Sequence, residues 1–111
     1  MNELDKLRGM LNKAKIPYRS IKKIWDKQYL DSMKYAFGKA GKYMRNQIIY
    51  GEDGKGDWKF DAIWQAGSYG ANEGKVETYG HLGVDEHGEP RVMTAEEAFS
   101  IISEDWEKQL K

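Results

Sequence analysis

Cysteine is absent from the 111 residues, which excludes disulfide staples, thiolate metal sites and cysteine nucleophiles and suits a reducing compartment. Proline and histidine are nearly absent too, with Pro17, Pro90, His81 and His87 the only examples. Secondary structure is therefore interrupted at few fixed points, and the side chain best suited to proton transfer near neutral pH is scarce. No apolar run approaches the about 20 residues needed to cross a bilayer. The opening Met1-Asn2-Glu3-Leu4-Asp5-Lys6-Leu7-Arg8 interleaves charges with leucines, unlike the basic, apolar, small-residue order of a secretory signal. These absences lead us to expect a cytoplasmic protein with no membrane partner.

What the chain has is aromatic mass and charge. Four Trp, seven Tyr and three Phe let one small domain, spanning 1–111, close its core without covalent staples. The net charge of zero conceals a division. Residues 1–50 carry 12 Lys+Arg against 4 Asp+Glu, a net of +8, and residues 51–111 carry 6 against 14, a net of −8. Opposed halves of this kind favour polyanion binding, association between copies, or neutralisation within one fold.

The pattern predicts an α+β fold: N-terminal helices, a three-stranded antiparallel meander, and a C-terminal helix packed on one face of the sheet. Leu4, Leu7, Leu11 and Ala14 recur at helical spacing behind Asn2 and Asp5, and Pro17 ends that helix at a corner that turns Tyr18 toward the core. From Ser20, the residues Ile21, Ile24, Trp25, Leu30, Met33, Phe37, Ala40 and Met44 keep a three-and-four spacing among lysines, predicting a basic amphipathic helix weakened at Gly38 and Gly41. Gln47 to Tyr50 reads as a first strand. Trp58, Phe60, Ala62, Trp64 and Ala66 alternate as the core side of a second, and Val76, Thr78, Gly80, Leu82 and Val84 as one side of a third, with Glu77, Tyr79 and His81 opposite. Thr94-Ala95-Glu96-Glu97 is a capping box, followed by the apolar stripe Ala95, Ala98, Phe99, Ile102, Trp106 and Leu110.

No catalytic constellation emerges. Asp61 and Glu77 in adjacent strands have the placement of nuclease carboxylates. Such sites want a lysine two residues after the second acid, where this chain has Tyr79, and two-metal chemistry needs further carboxylates. His81, Asp85, Glu86, His87 and Glu89 lie in a polar turn without the fixed spacing of metal ligands. Ser68 lacks the Gly-x-Ser-x-Gly elbow, and the glycine run from Gly67 to Gly74 leads into a strand rather than opening a helix around a phosphate. We expect no metal and no cofactor. An enzyme built on Asp61, Glu77 and His81 is the weakest reading. The basic segment offers nucleic-acid binding through Lys22, Lys23, Lys27, Lys34, Lys39, Lys42 and Arg45, although lysine is also the ordinary dressing of a solvated helix face.

The block Asp61-Ala62-Ile63-Trp64-Gln65-Ala66-Gly67-Ser68-Tyr69-Gly70 precedes Glu73-Gly74, Glu77-Thr78-Tyr79-Gly80 and Met93-Thr94-Ala95-Glu96-Glu97. Together with Lys15-Ile16-Pro17-Tyr18 and Arg45-Asn46-Gln47-Ile48-Ile49-Tyr50, it resembles a family of small uncharacterised phage and prophage proteins of Gram-positive bacteria. Gly67-Ser68-Tyr69-Gly70 is the most specific part of that likeness. The resemblance implies a phage accessory protein acting in the host cytoplasm and favours a binder over an enzyme. The expected function is therefore non-enzymatic binding of a host or phage protein, or of another copy, through Ser68, Tyr69, Asn72 and Tyr79. The alternative is a nucleic-acid-binding module built on the basic segment.

Overall fold

The computed structural model describes residues 2–33 and 38–111; the positions Lys34, Tyr35 and Phe37 of the expected basic helix lie outside the described residues. The first helix, α1 (Glu3–Lys13), starts where Asn2 accepts a hydrogen bond from the Asp5 amide at 2.8 Å, satisfying a donor that the first turn leaves unpaired. It buries Leu4, Leu7 and Leu11. Beyond it, Lys15 adopts a positive φ of 59°, Ile16 is buried, and Tyr18 packs at the margin of the core.

The expected helix from Ser20 to Met44 does not form. Its first part is a strand, β1 (Arg19–Ile24); a short helix, α2 (Lys27–Met33), and a 3-10 turn (Gly38–Lys42) follow. Ile21 and Ile24 satisfy a helical stripe by spacing, but the backbone of this segment finds a full antiparallel ladder on its neighbour, and that pairing overrides the weak local preference. Asp26, rather than Ser20, starts the helix that does form, accepting the Tyr29 amide at 3.0 Å.

Four more strands follow: β2 (Tyr43–Tyr50), β3 (Phe60–Ile63), β4 (Val76–Tyr79) and β5 (Arg91–Met93). The sheet has five strands in chain order, β1-β2-β3-β4-β5, all antiparallel, which corrects the expected three. β1 was concealed by its lysines. β5 was concealed by its brevity, three residues wedged between a turn and a helix cap. The strand expected over 76–84 stops at Tyr79; Val84 instead bridges to Pro90 across the turn before β5.

The last helix, α3 (Ala95–Gln109), begins with the anticipated capping box, Thr94 accepting the Glu97 amide and the Glu97 carboxylate accepting the Thr94 amide. α1 and α3 share one face of the sheet. Leu4, Leu7, Leu11, Ala95, Ala98 and Ile102 form a single core with Ile48, Tyr50, Phe60, Ala62, Val76 and Met93. Glu3 accepts the Ala95 amide at 3.0 Å, and Lys6 pairs with Glu96, so the starts of the two helices are fastened together. At the far end the Tyr50 hydroxyl donates to Asp105 at 2.6 Å, joined by Lys59 at 3.0 Å and Gln109 at 2.6 Å. Among the described residues, no helix is long and apolar enough to cross a membrane.

Candidate recognition surface

Because side chains alternate across a pleated sheet, the strands that feed the core with Ile48, Phe60, Ala62 and Val76 turn a second set away from the helices. That set comprises Arg45, Gln47 and Ile49 on β2, Asp61 and Ile63 on β3, Glu77 and Tyr79 on β4, and Val92 on β5. The register pairs Ile49 with Asp61, Gln47 with Ile63, Asp61 with Tyr79 and Glu77 with Val92. α1 and α3 lie on the opposite face, yet Asp61 is only 2% exposed and Glu77 only 4%.

Two carboxylates this buried must be supplied with donors, and both are. Asp61 accepts from the Gln47 amide nitrogen at 2.7 Å and from the Trp58 indole at 2.8 Å, while Arg45 donates to Gln47 at 2.9 Å. A line of hydrogen bonds thus runs from the rim of the sheet to its centre. Glu77 accepts the Tyr69 amide at 2.8 Å and the Tyr79 hydroxyl. Burial pushes the Asp61 carboxyl above its ordinary range despite the Trp58 and Gln47 donors. The hydrogen bond to Glu77, reinforced by burial, pushes the Tyr79 hydroxyl up to about 12. Tyr79 is therefore a neutral donor at physiological pH, and Glu77 serves as a structural acceptor for the adjoining loop.

That loop joins β3 to β4 and carries Tyr69. Ser68 closes its first turn, donating to the Gln65 carbonyl at 2.9 Å and accepting the Gln65 amide at 3.1 Å. Gly70 then reverses the chain at φ 80°, its carbonyl accepting the amides of Glu73 and Lys75. A side chain at Gly70 would meet Val92 as well as adopt a strained φ. The Trp64 indole fixes the far limb by donating to the Ala71 carbonyl at 3.2 Å. Held at its backbone by Glu77, Tyr69 projects with 74% of its surface exposed, and Val92 is 40% exposed.

Of the residues expected to meet a partner, Tyr69 is displayed, Ser68 is a turn-former, and Tyr79 is committed to Glu77. Asn72 is exposed in a short 3-10 turn (Ala71–Glu73), with its side chain beside Gly38. Asp61 and Glu77 occupy adjacent strands as expected, but their oxygens are taken by donors rather than held open. His81 pairs with Asp57 at 2.7 Å, which holds the Asp57 carboxyl below its usual range. Among the described residues, no three His, Asp or Glu side chains converge on one point.

The basic residues divide. Lys22 pairs with Asp5 at 3.3 Å and, like Lys42, lies over the Tyr43 ring. Lys23 stands opposite Arg45, Lys27 opens α2, Lys39 is in the 3-10 turn, and Lys34 falls outside the described residues. Sequence reasoning missed the network from Arg45 to Asp61, although Gln47 and Asp61, both out of phase with the apolar alternation of their own strands, were a usable signal. It also missed a parallel stack of Trp25 on Tyr29, with centroids 5.2 Å apart at 18°, because the helical stripe takes in Trp25 and not Tyr29. Compared with known proteins, the chain matches no family model, no curated protein and no solved structure.

Proposed function

We propose that this protein is a non-catalytic recognition module that docks a protein partner, a host or phage protein or a second copy of itself, with the Tyr69 loop and the neighbouring apolar residues of β3 and β5. This is the role that its resemblance to phage accessory proteins implies. The observation that carries the reading is the contrast at Tyr69: an exposed aromatic ring whose own amide is tied to a buried carboxylate. An anchor already fixed before binding loses little conformational freedom on association, and aromatic anchors dominate binding energy where they are rigid and central. Val92 and the half-buried Ile63 supply adjacent apolar area. The carboxylates that would otherwise suggest chemistry are consumed in holding this platform.

The test compares the parent with Tyr69→Ala, which leaves the Tyr69 amide, and so the bond to Glu77, in place. Affinity capture from host lysate and sedimentation from low to high micromolar concentration should reveal a partner or a self-associated species. The variant should lose it by a factor of ten or more, with its melting temperature unchanged. Identical capture and sedimentation for the two proteins overturns the reading.

A further inference from the structure

Ile63 on β3 and Val92 on β5 both pair with Glu77 on β4. The two apolar neighbours of the Tyr69 loop therefore flank one carboxylate, the same one that accepts the Tyr69 amide. Asp61, paired with Tyr79, lies in the adjoining row of that face. Acidic side chains buried this deeply are ordinarily matched by a cation or a metal. Here every donor is neutral: the Tyr69 amide and Tyr79 hydroxyl on Glu77, the Gln47 amide and Trp58 indole on Asp61. Among the described residues, neither acid makes an ion pair. Arg45 is linked to Asp61 only through Gln47. Lys75 and Arg91 act on the other face, at the start of α3, where they add to the Thr94 hydrogen bonds that hold the Glu97 carboxyl below its usual range.

Neutral donors satisfy the oxygens and leave the negative charge in place, and beneath a partly apolar surface its field is screened less than in water. Two phenols share that field. Tyr69 is near enough to Tyr79 to reinforce slightly the rise that the Glu77 hydrogen bond imposes on the Tyr79 hydroxyl. Among the described residues, the exposed Tyr69 ring stacks on no other ring. A wholly apolar partner laid over Ile63 and Val92 would bury Glu77 further and raise the cost of its charge. An acidic one would be repelled. A guanidinium suits the site on each count, because it is planar and weakly hydrated, stacks on a phenol ring, and carries the opposite charge.

We propose that the partner docked by the Tyr69 loop presents an arginine, which stacks on Tyr69 beside Ile63 and Val92 and supplies the counter-charge to Glu77 and Asp61. This chemistry rests on the protein-docking reading of the same surface and narrows the partner to one with an exposed basic side chain. In the test, the isotope-labelled full chain is titrated with acetyl-Gly-Arg-Gly-amide and with the same peptide carrying citrulline, which keeps the shape and loses the charge. The Arg peptide should move the amide resonances of Ile63, Tyr69, Gly70 and Val92, and the citrulline peptide should bind at least about tenfold more weakly, as loss of a partly desolvated cation over a ring predicts. Tyr69→Ala should weaken the Arg peptide at least about fivefold. Glu77→Gln, whose carbonyl can accept the Tyr69 amide while its amide donates to the Tyr79 oxygen, should weaken it at least about threefold by removing charge alone. Circular dichroism melts establish that each variant is folded; should Glu77→Gln melt early, parental affinity must instead fall at least about threefold between about 0.01 M and about 1 M salt. Equal binding of the two peptides overturns the proposal, as does the absence of shifts around Tyr69 or an Arg-peptide affinity that Tyr69→Ala leaves unchanged. If any of these occurs while Tyr69→Ala still abolishes capture or self-association, the arginine is wrong and the docking surface stands.

Discussion

Asp105 and Asp61 show how one residue type takes opposite roles. Burial alone would raise the Asp105 carboxyl, but donors from Tyr50, Lys59 and Gln109 outweigh it and hold the group below 3.8. Its contribution to stability is therefore fully present above that value and is lost as pH falls through the lowered folded value. Asp61 is raised instead, so its contribution is complete below 3.8 and disappears as pH rises through the folded value. Asp105→Asn should destabilise the protein by about 1–2 kcal/mol near neutral pH, the scale of hydrogen bonds to a charged group that is only partly desolvated. Denaturant titrations at about pH 7 and about pH 2.5 should show the difference shrinking toward zero at the acid end. A constant difference would mean that the ionised carboxylate is not what the Tyr50 hydroxyl and Lys59 stabilise. Neither role was visible in the chain itself, because each depends on a side chain more than ten positions away: Gln47 for Asp61, Tyr50 for Asp105.

Among the elements, those whose signals are local and mutually consistent formed as the chain suggests. Asn2 and Thr94 sit where a cap, a first-turn acid and an apolar stripe all agree, and both helices begin there. Phe60 and Ala62 alternate with Asp61 and Ile63 and form the predicted inside and outside of β3. β1 is the contrary case. Its backbone preference is weak, its outward residues are lysines, and its identity comes from β2, which begins 19 residues after β1 ends. Lysine on an edge strand also guards against pairing with another chain, and that use hides strand character under the composition of a solvated helix. Tyr69 was legible as a conspicuous residue but not as an anchor, since Glu77 reaches its amide across a loop. Thr94→Ala should lower stability by about 1 kcal/mol, the usual worth of such a cap. Amide exchange should quicken over the first turn of α3 while β2 and β3 stay protected. Uniform quickening throughout the sheet would show that this cap is coupled to the whole fold.

At the scale of the whole molecule, one continuous core joins both helices to β2, β3, β4 and β5. Unfolding should therefore be cooperative: far-ultraviolet dichroism and tryptophan emission, reporting backbone and rings separately, should give coincident thermal transitions. Displaced midpoints would show a part that melts independently. The charge division visible along the chain maps onto space only partly. Lys6 with Glu96 and Arg19 with Glu52 couple the halves, while Lys22 and Lys23 lie in β1 at one edge of the sheet and Asp85, Glu86 and Glu89 lie in the turn between β4 and β5 at the other.

Every strand bonds only to its predecessor or successor along the chain, so the sheet can assemble by successive hairpins, each needing a modest closure of chain entropy. The clasp between Glu3 and Ala95 is different, spanning 92 positions. A growing polypeptide leaving the ribosome could zip the pleats early, yet the three leucines of α1 would stay half covered, by the sheet alone, until α3 emerged.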